Sequence, residues 1–249
     1  MLREMLRSAV RGRVFRRRLP AKFGAAVVYV APDSQLHYLK PGTAWLDADL
    51  LEWAARFVEK DDVVWDIGAN VGIFGAAAAG RGGRVMAVEP DPFLANCLLR
   101  TRAANPFDFE VLAAAVSDKP GVAPLEIASG GRASNSLSTY AGKRGQFGKS
   151  VGRVLVPTVT LDSLLEFSRP AVVKIDVEGA ELDVLAGATR VLKEVRPRWF
   201  IEVGRTLRPA ATRLLHAEGY TLYNALDLGE PLTEASANVL AVPSEARQP

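Results

Sequence analysis

Two constellations in this chain join charged residues to apolar, strand-like runs. The first is Val63-Val64-Trp65-Asp66-Ile67-Gly68-Ala69-Asn70-Val71-Gly72. An apolar run ends in an acid, a glycine-bearing turn follows, and small apolar residues continue beyond it. That is the layout of a nucleotide-cofactor site at the first strand–helix turn of a doubly wound sheet. Gly68 and Gly72 let a ligand approach the backbone, and a helix starting near Val71 offers unpaired N–H groups. Glu89 ends the next run, 23 residues after Asp66, where a carboxylate accepts from both hydroxyls of a ribose. Ala115-Val116-Ser117-Asp118 closes a third run and offers backbone and small polar groups to an adenine ring.

The pattern departs from a dinucleotide fingerprint. The third glycine of G-x-G-x-x-G is missing, and Asp66 stands where it would repel a pyrophosphate. A carboxylate there suits a cofactor carrying an amine and a sulfonium, which points to S-adenosyl-L-methionine. Asp66, Gly68, Asn70, Gly72, Glu89, Val116 and Ser117 are the expected cofactor-binding residues. Singly, Asp66 has a second reading as a helix cap and Glu89 as a surface acid. Their order at successive strand ends argues for a site.

The second constellation is Val172-Val173-Lys174-Ile175-Asp176-Val177-Glu178-Gly179-Ala180-Glu181. Alternation along a strand puts Lys174 and Asp176 on one face. Ligand sites in such sheets lie beyond the carboxyl ends of the strands. So many charges at the end of a buried strand are costly unless they serve a site. Asp176 is the first catalytic candidate, as general base, and Glu178 the second. Lys174 would hold a carboxylate or orient the acceptor. The competing reading is a structural ion pair of Lys174 with Asp176 or Glu202, with Glu181 as a helix N-terminal charge. Two acids two residues apart are thin grounds for a divalent cation, and no metal is expected. Asn135, Ser136 and Tyr140 are candidate acceptor contacts from a loop. His37 lies near the N-terminal strands, and His216 is assigned no role.

These residues need an alternating scaffold. Strands are expected at 62–67, 84–89, 109–116, 122–127, 154–159, 171–176, 199–203, 220–224 and 239–242. Helices are expected at 47–58, 71–79, 92–103, 161–167, 180–192 and 209–218. Short strands at 25–30 and 36–39 precede them. Such alternation argues a doubly wound α/β sheet with helices on both faces. Residues 129–152, rich in Gly, Ser and Lys, read as a long functional loop.

The 249 residues, 49% of them hydrophobic, suffice for one large domain. No apolar run reaches transmembrane length, and the basic start lacks a signal-peptide core, so a cytoplasmic protein is expected. A single cysteine, Cys97, excludes an internal disulfide framework. The net charge of +3 is uneven. Residues 1–22 hold eight basic residues and one acid, leaving 23 basic and 27 acidic residues for the rest. The body is therefore mildly acidic, which argues against a nucleic-acid groove. Leu2, Leu6, Val10 and Val14 recur every fourth residue among arginines, as in a basic amphipathic helix. Residues 1–22 would pack on the domain or touch an anionic membrane surface peripherally. The expected division is an arm over 1–24, a single α/β domain over 25–243 and a flexible tail over 244–249.

Trp65-Asp66-Ile67-Gly68-Ala69-Asn70-Val71-Gly72, Val88-Glu89-Pro90, Ala115-Val116-Ser117-Asp118, Leu161-Asp162-Ser163-Leu164, Lys174-Ile175-Asp176-Val177-Glu178-Gly179-Ala180-Glu181 and Ile201-Glu202-Val203 together resemble the FkbM family of S-adenosylmethionine-dependent methyltransferases. The D-I-G-A-N turn alone is shared with many methyltransferases; the K-I-D-V-E-G-A-E run makes the likeness specific. It extends from Val63 to Val203. It implies a Rossmann-like seven-strand sheet with one antiparallel strand. It also implies O-methylation of a hydroxyl on a sugar, glycoconjugate or secondary metabolite. Segments before Ala25, over 129–152 and after Val203 lie outside it, and acceptor specificity is expected there. The alternatives are an N-methyltransferase, a nicotinamide-dependent oxidoreductase, and a non-catalytic scaffold tethered through the basic arm.

Overall fold

The computed structural model describes residues 9–139 and 150–246. The chain enters through an antiparallel pair, β1 (Phe15–Arg18) and β2 (Val27–Val30). Helix α1 (Ala48–Phe57) follows, its first turn capped by Asp47, whose side chain accepts from the Leu50 N–H. The alternating core then begins with β3 (Val63–Ile67), α2 (Ile73–Gly80), β4 (Arg84–Val88), α3 (Pro92–Ala103) and β5 (Phe109–Leu112). Asp91 caps α3 and Pro92 pre-sets its first turn. A second group comprises β6 (Ala115–Val116), β7 (Gly121–Ala128), β8 (Ser136–Leu137) and β9 (Ser150–Val159). The core resumes with α4 (Leu161–Leu164), β10 (Val172–Ile175), α5 (Glu181–Ala186), β11 (Arg198–Glu202), α6 (Arg208–Ala217), β12 (Tyr220–Asn224) and β13 (Asn238–Pro243).

Seven strands form the main sheet in the order β12-β13-β11-β10-β3-β4-β5. The interior pairs are parallel, and β13 runs antiparallel to both of its neighbours. This is the doubly wound sheet with one antiparallel strand that the motifs imply. Alternation along each strand feeds two cores. Val64, Val172 and Phe200 join Leu51, Phe74 and Leu98 under α1, α2 and α3. Trp65, Ile175 and Trp199 join Leu161, Leu185 and Leu215 under α4, α5 and α6. Seven of the eight α2 residues are buried, which explains their small, apolar character. A separate four-stranded sheet, β6-β9-β7-β8, stands beside the main one.

Several elements differ from expectation, each for a local reason. The run 109–116 is divided. The Ala114 N–H donates to the Leu112 carbonyl, and β6 leaves the main sheet to pair with β9. Leu36–Leu39 is a one-turn 3₁₀ helix. The run 180–192 breaks at Gly187, where a Cβ would stand 2.3 Å from the Ser117 carbonyl oxygen. A π-helical turn follows at Val191–Val195. Residues 15–23 belong to the fold, since Leu19 and Phe23 enter the first core. Leu2 and Leu6 of the expected amphipathic helix lie outside the described residues, as do Tyr140 and residues 247–249. Ser244 and Glu245 are tied down by the Gly219 carbonyl and by Arg196. Cys97 is buried. No described helix is long and apolar enough to cross a membrane.

Candidate functional site

The carboxyl ends of β3, β4 and β10 converge where the two constellations meet. Gly68 turns the chain with φ +71°, and a Cβ there would stand 1.9 Å from the Asp176 carbonyl oxygen. Only glycine lets the two strand-end turns lie this close. Asn70 also adopts a left-handed conformation, φ +54°, which its short polar side chain tolerates. Its Oδ1 accepts from the Ser34 hydroxyl at 2.7 Å, and its N–H donates to Glu89 Oε2 at 2.8 Å. The Asp91 N–H donates to Glu89 Oε1 at 2.9 Å.

Glu89 is thus held by two backbone donors, and each of its oxygens retains a lone pair for another. Burial pushes its carboxyl up to about 7, against the lowering effect of the Asp91 and Asn70 amides. It borders a cleft of about 630 Å³ whose walls include Ile67, Val88, Leu94, Val116, Leu125 and Leu137. Gly68, Asn70, Asp176, Glu178, Asn135 and Ser136 also line it. Apolar walls with a fixed carboxylate suit an adenosine: a slot for the purine and an acceptor for the ribose hydroxyls.

A second, more polar cleft of about 810 Å³ lies on the α1 side of β10. Tyr38, Asp47, Trp53, Lys174, Glu202 and Asn238 line it, together with Gln35 and Asp49. Asn70 and Asp176 border both clefts. Burial first, then the Asp47 and Asp176 carboxylates, raise the Tyr38 hydroxyl's pKa, so it remains a neutral donor.

Behind this junction sits a buried charge pair. The Lys174 ammonium donates to the Gly68 carbonyl at 2.9 Å and lies 3.2 Å from Asp66 Oδ1 and 3.8 Å from Asp176 Oδ2. Burial pulls its pKa down, but the Asp66 and Asp176 carboxylates outweigh that and hold it above the usual lysine value. Asp66 is fully buried, and its Oδ2 accepts from the Gly75 N–H at 3.0 Å in the first turn of α2. The pair therefore braces turn and helix from beneath.

The site residues expected from sequence separate accordingly. Gly68, Asn70, Glu89, Val116, Asp176 and Glu178 meet at the first cleft, and Lys174 reaches the second. Asp66, Gly72 and Ser117 line neither cleft. Gly72 is the N-cap of α2, and the Ser117 hydroxyl donates to Asp118. Asn135 and Ser136, expected at the acceptor, border the first cleft instead. His37 packs its ring against Tyr38 and lines neither cleft. His216 is exposed on α6. No group of three or more potential ligands among the described residues could hold a metal ion. The sequence reading missed Tyr38, Asp47, Trp53, Asn238, Asp91 and Arg132. Only Asp47 and Asp91 carried a signal, each as a helix cap. The others come from segments that topology alone brings together.

A family model, the methyltransferase FkbM domain, matches residues 66–222. The hexuronic acid methyltransferase AglP of Haloferax volcanii is 31% identical over 155 residues, covering 60% of this chain and 59% of that protein. The chain thus matches less than two thirds of that relative's length. Among solved structures, an FkbM methyltransferase from Methylobacillus flagellatus aligns with a TM-score of 0.48 and 17% identity. That alignment covers 80% of this chain and 53% of the other. The 16S rRNA N2 G1207 methyltransferase of T. thermophilus aligns with a TM-score of 0.49 and 16% identity, over 94% of this chain and 50% of that one. With the family model spanning well over half of its residues, the chain belongs to the FkbM family of methyltransferases.

Proposed function

We propose that this protein transfers a methyl group from S-adenosyl-L-methionine to a hydroxyl of a sugar or glycoconjugate. The observation that carries the reading is the junction at Asn70 and Asp176, where a cleft with apolar walls and a fixed acid meets a more polar one. Glu89 would hold the ribose hydroxyls, and the Val116 and Leu137 walls would sandwich the purine. When bound, the cofactor supplies an electrophilic methyl carbon on its sulfonium. The protein's part is alignment and proton handling. Holding acceptor oxygen, carbon and sulfur in line is worth about 7–11 kcal/mol. Asp176 stands at the junction to take the acceptor's proton, a role worth roughly 10²–10⁴ in rate. Tyr38 and Asn238 offer hydrogen bonds to the rest of the acceptor.

The name of the archaeal relative supports a sugar as the acceptor class. The second cleft sets Asp47, Asp49, Asp176 and Glu202 against one ammonium, Lys174. That balance favours a polyol without net negative charge over a uronate. The test is calorimetric titration with S-adenosylmethionine, S-adenosylhomocysteine and NAD, followed by labelled-methyl transfer to neutral and acidic glycosides. Asp176→Asn should lower kcat by about 10²–10⁴ while S-adenosylhomocysteine affinity stays within about twofold. A near-wild-type rate in the folded variant refutes the base, and binding of NAD alone refutes the cofactor.

A further inference from the structure

The β7–β8 hairpin lies beyond the alternating core, yet it forms one wall of the first cleft. It is fastened there by a buried carboxylate. Asp91 Oδ2 accepts from Arg132 Nη1 at 2.6 Å and from Asn135 Nδ2 at 2.7 Å, and Asp91 is 1% exposed. Arg132 Nε reaches Asp33 at 2.8 Å, and the guanidinium lies 4.6 Å from the centre of the Phe93 ring. Asn135 Oδ1 accepts from the Ala128 N–H at 2.9 Å, closing the hairpin on itself. Asp91 is also the residue whose N–H fixes Glu89. One residue therefore sets the wall and the ribose-facing carboxylate in a common frame.

The next residue on that wall is Ser136, opposite Glu126 in the β7–β8 pairing. It is 3% exposed, and its hydroxyl has no hydrogen-bond partner among the described residues. A buried hydroxyl without a partner costs folding free energy, and native structures rarely keep one without a use. Ser136 borders the cleft between apolar walls that include Leu125 and Leu137. A flat ring entering between those walls brings polar edge atoms that would otherwise lose their hydrogen bonds to water.

We infer that the Ser136 hydroxyl is a binding group for the purine edge of the cofactor. The inference rests on the proposed cofactor. In the free protein the hydroxyl is a stored cost; the ligand converts it into a hydrogen bond. Removing it should therefore weaken binding without weakening the unliganded fold.

The experiment is calorimetric titration of S-adenosylhomocysteine and of adenosine into wild type, Ser136→Ala and Ser136→Cys, with thermal unfolding of each unliganded protein. Ser136→Ala should bind both ligands about tenfold more weakly. Ser136→Cys keeps the side-chain shape with a slightly larger atom but is a weak hydrogen bonder, and it should lose at least about threefold. The unliganded unfolding midpoint of Ser136→Ala should be no lower than wild type. Four results overturn the inference: Ser136→Ala affinity within twofold of wild type, wild-type affinity in Ser136→Cys, a loss seen with S-adenosylhomocysteine but not adenosine, or a lowered unliganded midpoint. Failure of wild type itself to bind S-adenosylhomocysteine would instead defeat the cofactor reading, before any variant is compared.

Discussion

Replacing Lys174 by Met tests whether the second constellation is a buried brace or only a catalytic display. Lys174 is 4% exposed and Asp66 is fully buried. Without the ammonium, Asp66 Oδ1 has no other partner among the described residues. The Gly68 carbonyl also loses its donor. Breaking a buried pair while leaving one charge behind costs about 3–5 kcal/mol. For a chain of this size each kcal/mol moves the unfolding midpoint by about 2–4 °C, so a fall of roughly 6–20 °C is expected in calorimetry. The double variant Asp66→Asn with Lys174→Met should recover most of the loss. It removes the stranded charge and keeps an amide oxygen for the Gly75 N–H. In wild type, the raised Lys174 pKa means that its stabilisation is complete below the unfolded value of 10.5. It is lost only as pH climbs through the higher folded value. A single-variant loss below about 1 kcal/mol, or a double variant no better than the single, refutes the reasoning.

Two further outcomes follow from the turn and its carboxylate. Glu89 titrates near 7 in the fold, above its unfolded value of 4.5, so the folded state holds a proton that the unfolded chain releases. Stability should fall as pH rises from about 4.5 to 7, while S-adenosylhomocysteine affinity should climb through about 7 as the stronger acceptor forms. Glu89→Gln should flatten both profiles, and a flat wild-type profile by titration calorimetry contradicts the assignment. Gly68→Ala adds a Cβ at φ +71° and 1.9 Å from a backbone oxygen. It should cost about 3 kcal/mol or more and abolish cofactor binding, measured by urea unfolding and calorimetry. A loss under about 1 kcal/mol would show that the two turns can separate freely.

The order of apolar runs and strand-end acids was legible because each signal is local. Strand alternation, the Asp47 and Asp91 caps and the glycine turn act within a few residues of themselves. The expected boundaries of α1 and α3 match closely for that reason. The same locality misled where a distant contact decides. Residues 109–116 read as one apolar strand, but pairing with β9 pulls Ala115–Val116 into another sheet. Gly187 looks neutral in a helical pattern, yet the Ser117 carbonyl allows no side chain there.

Sequence by itself determined the fold class, the family likeness and the glycine-turn and carboxylate pairing, because short-range chemistry specifies them. The tertiary structure alone decided what each charge does. Asp66 and Lys174 face one another because β3 and β10, more than a hundred residues apart, are register partners. Glu89 is fixed at the border of the first cleft because Asn70 and Asp91 donate to it across a loop. The second cleft gathers residues from 35–53, 174–176, 202 and 238, whose proximity no spacing in the chain encodes. Burial and partnership are properties of neighbours in space. The chemistry of a carboxylate, an ammonium or a hydroxyl is set by those neighbours.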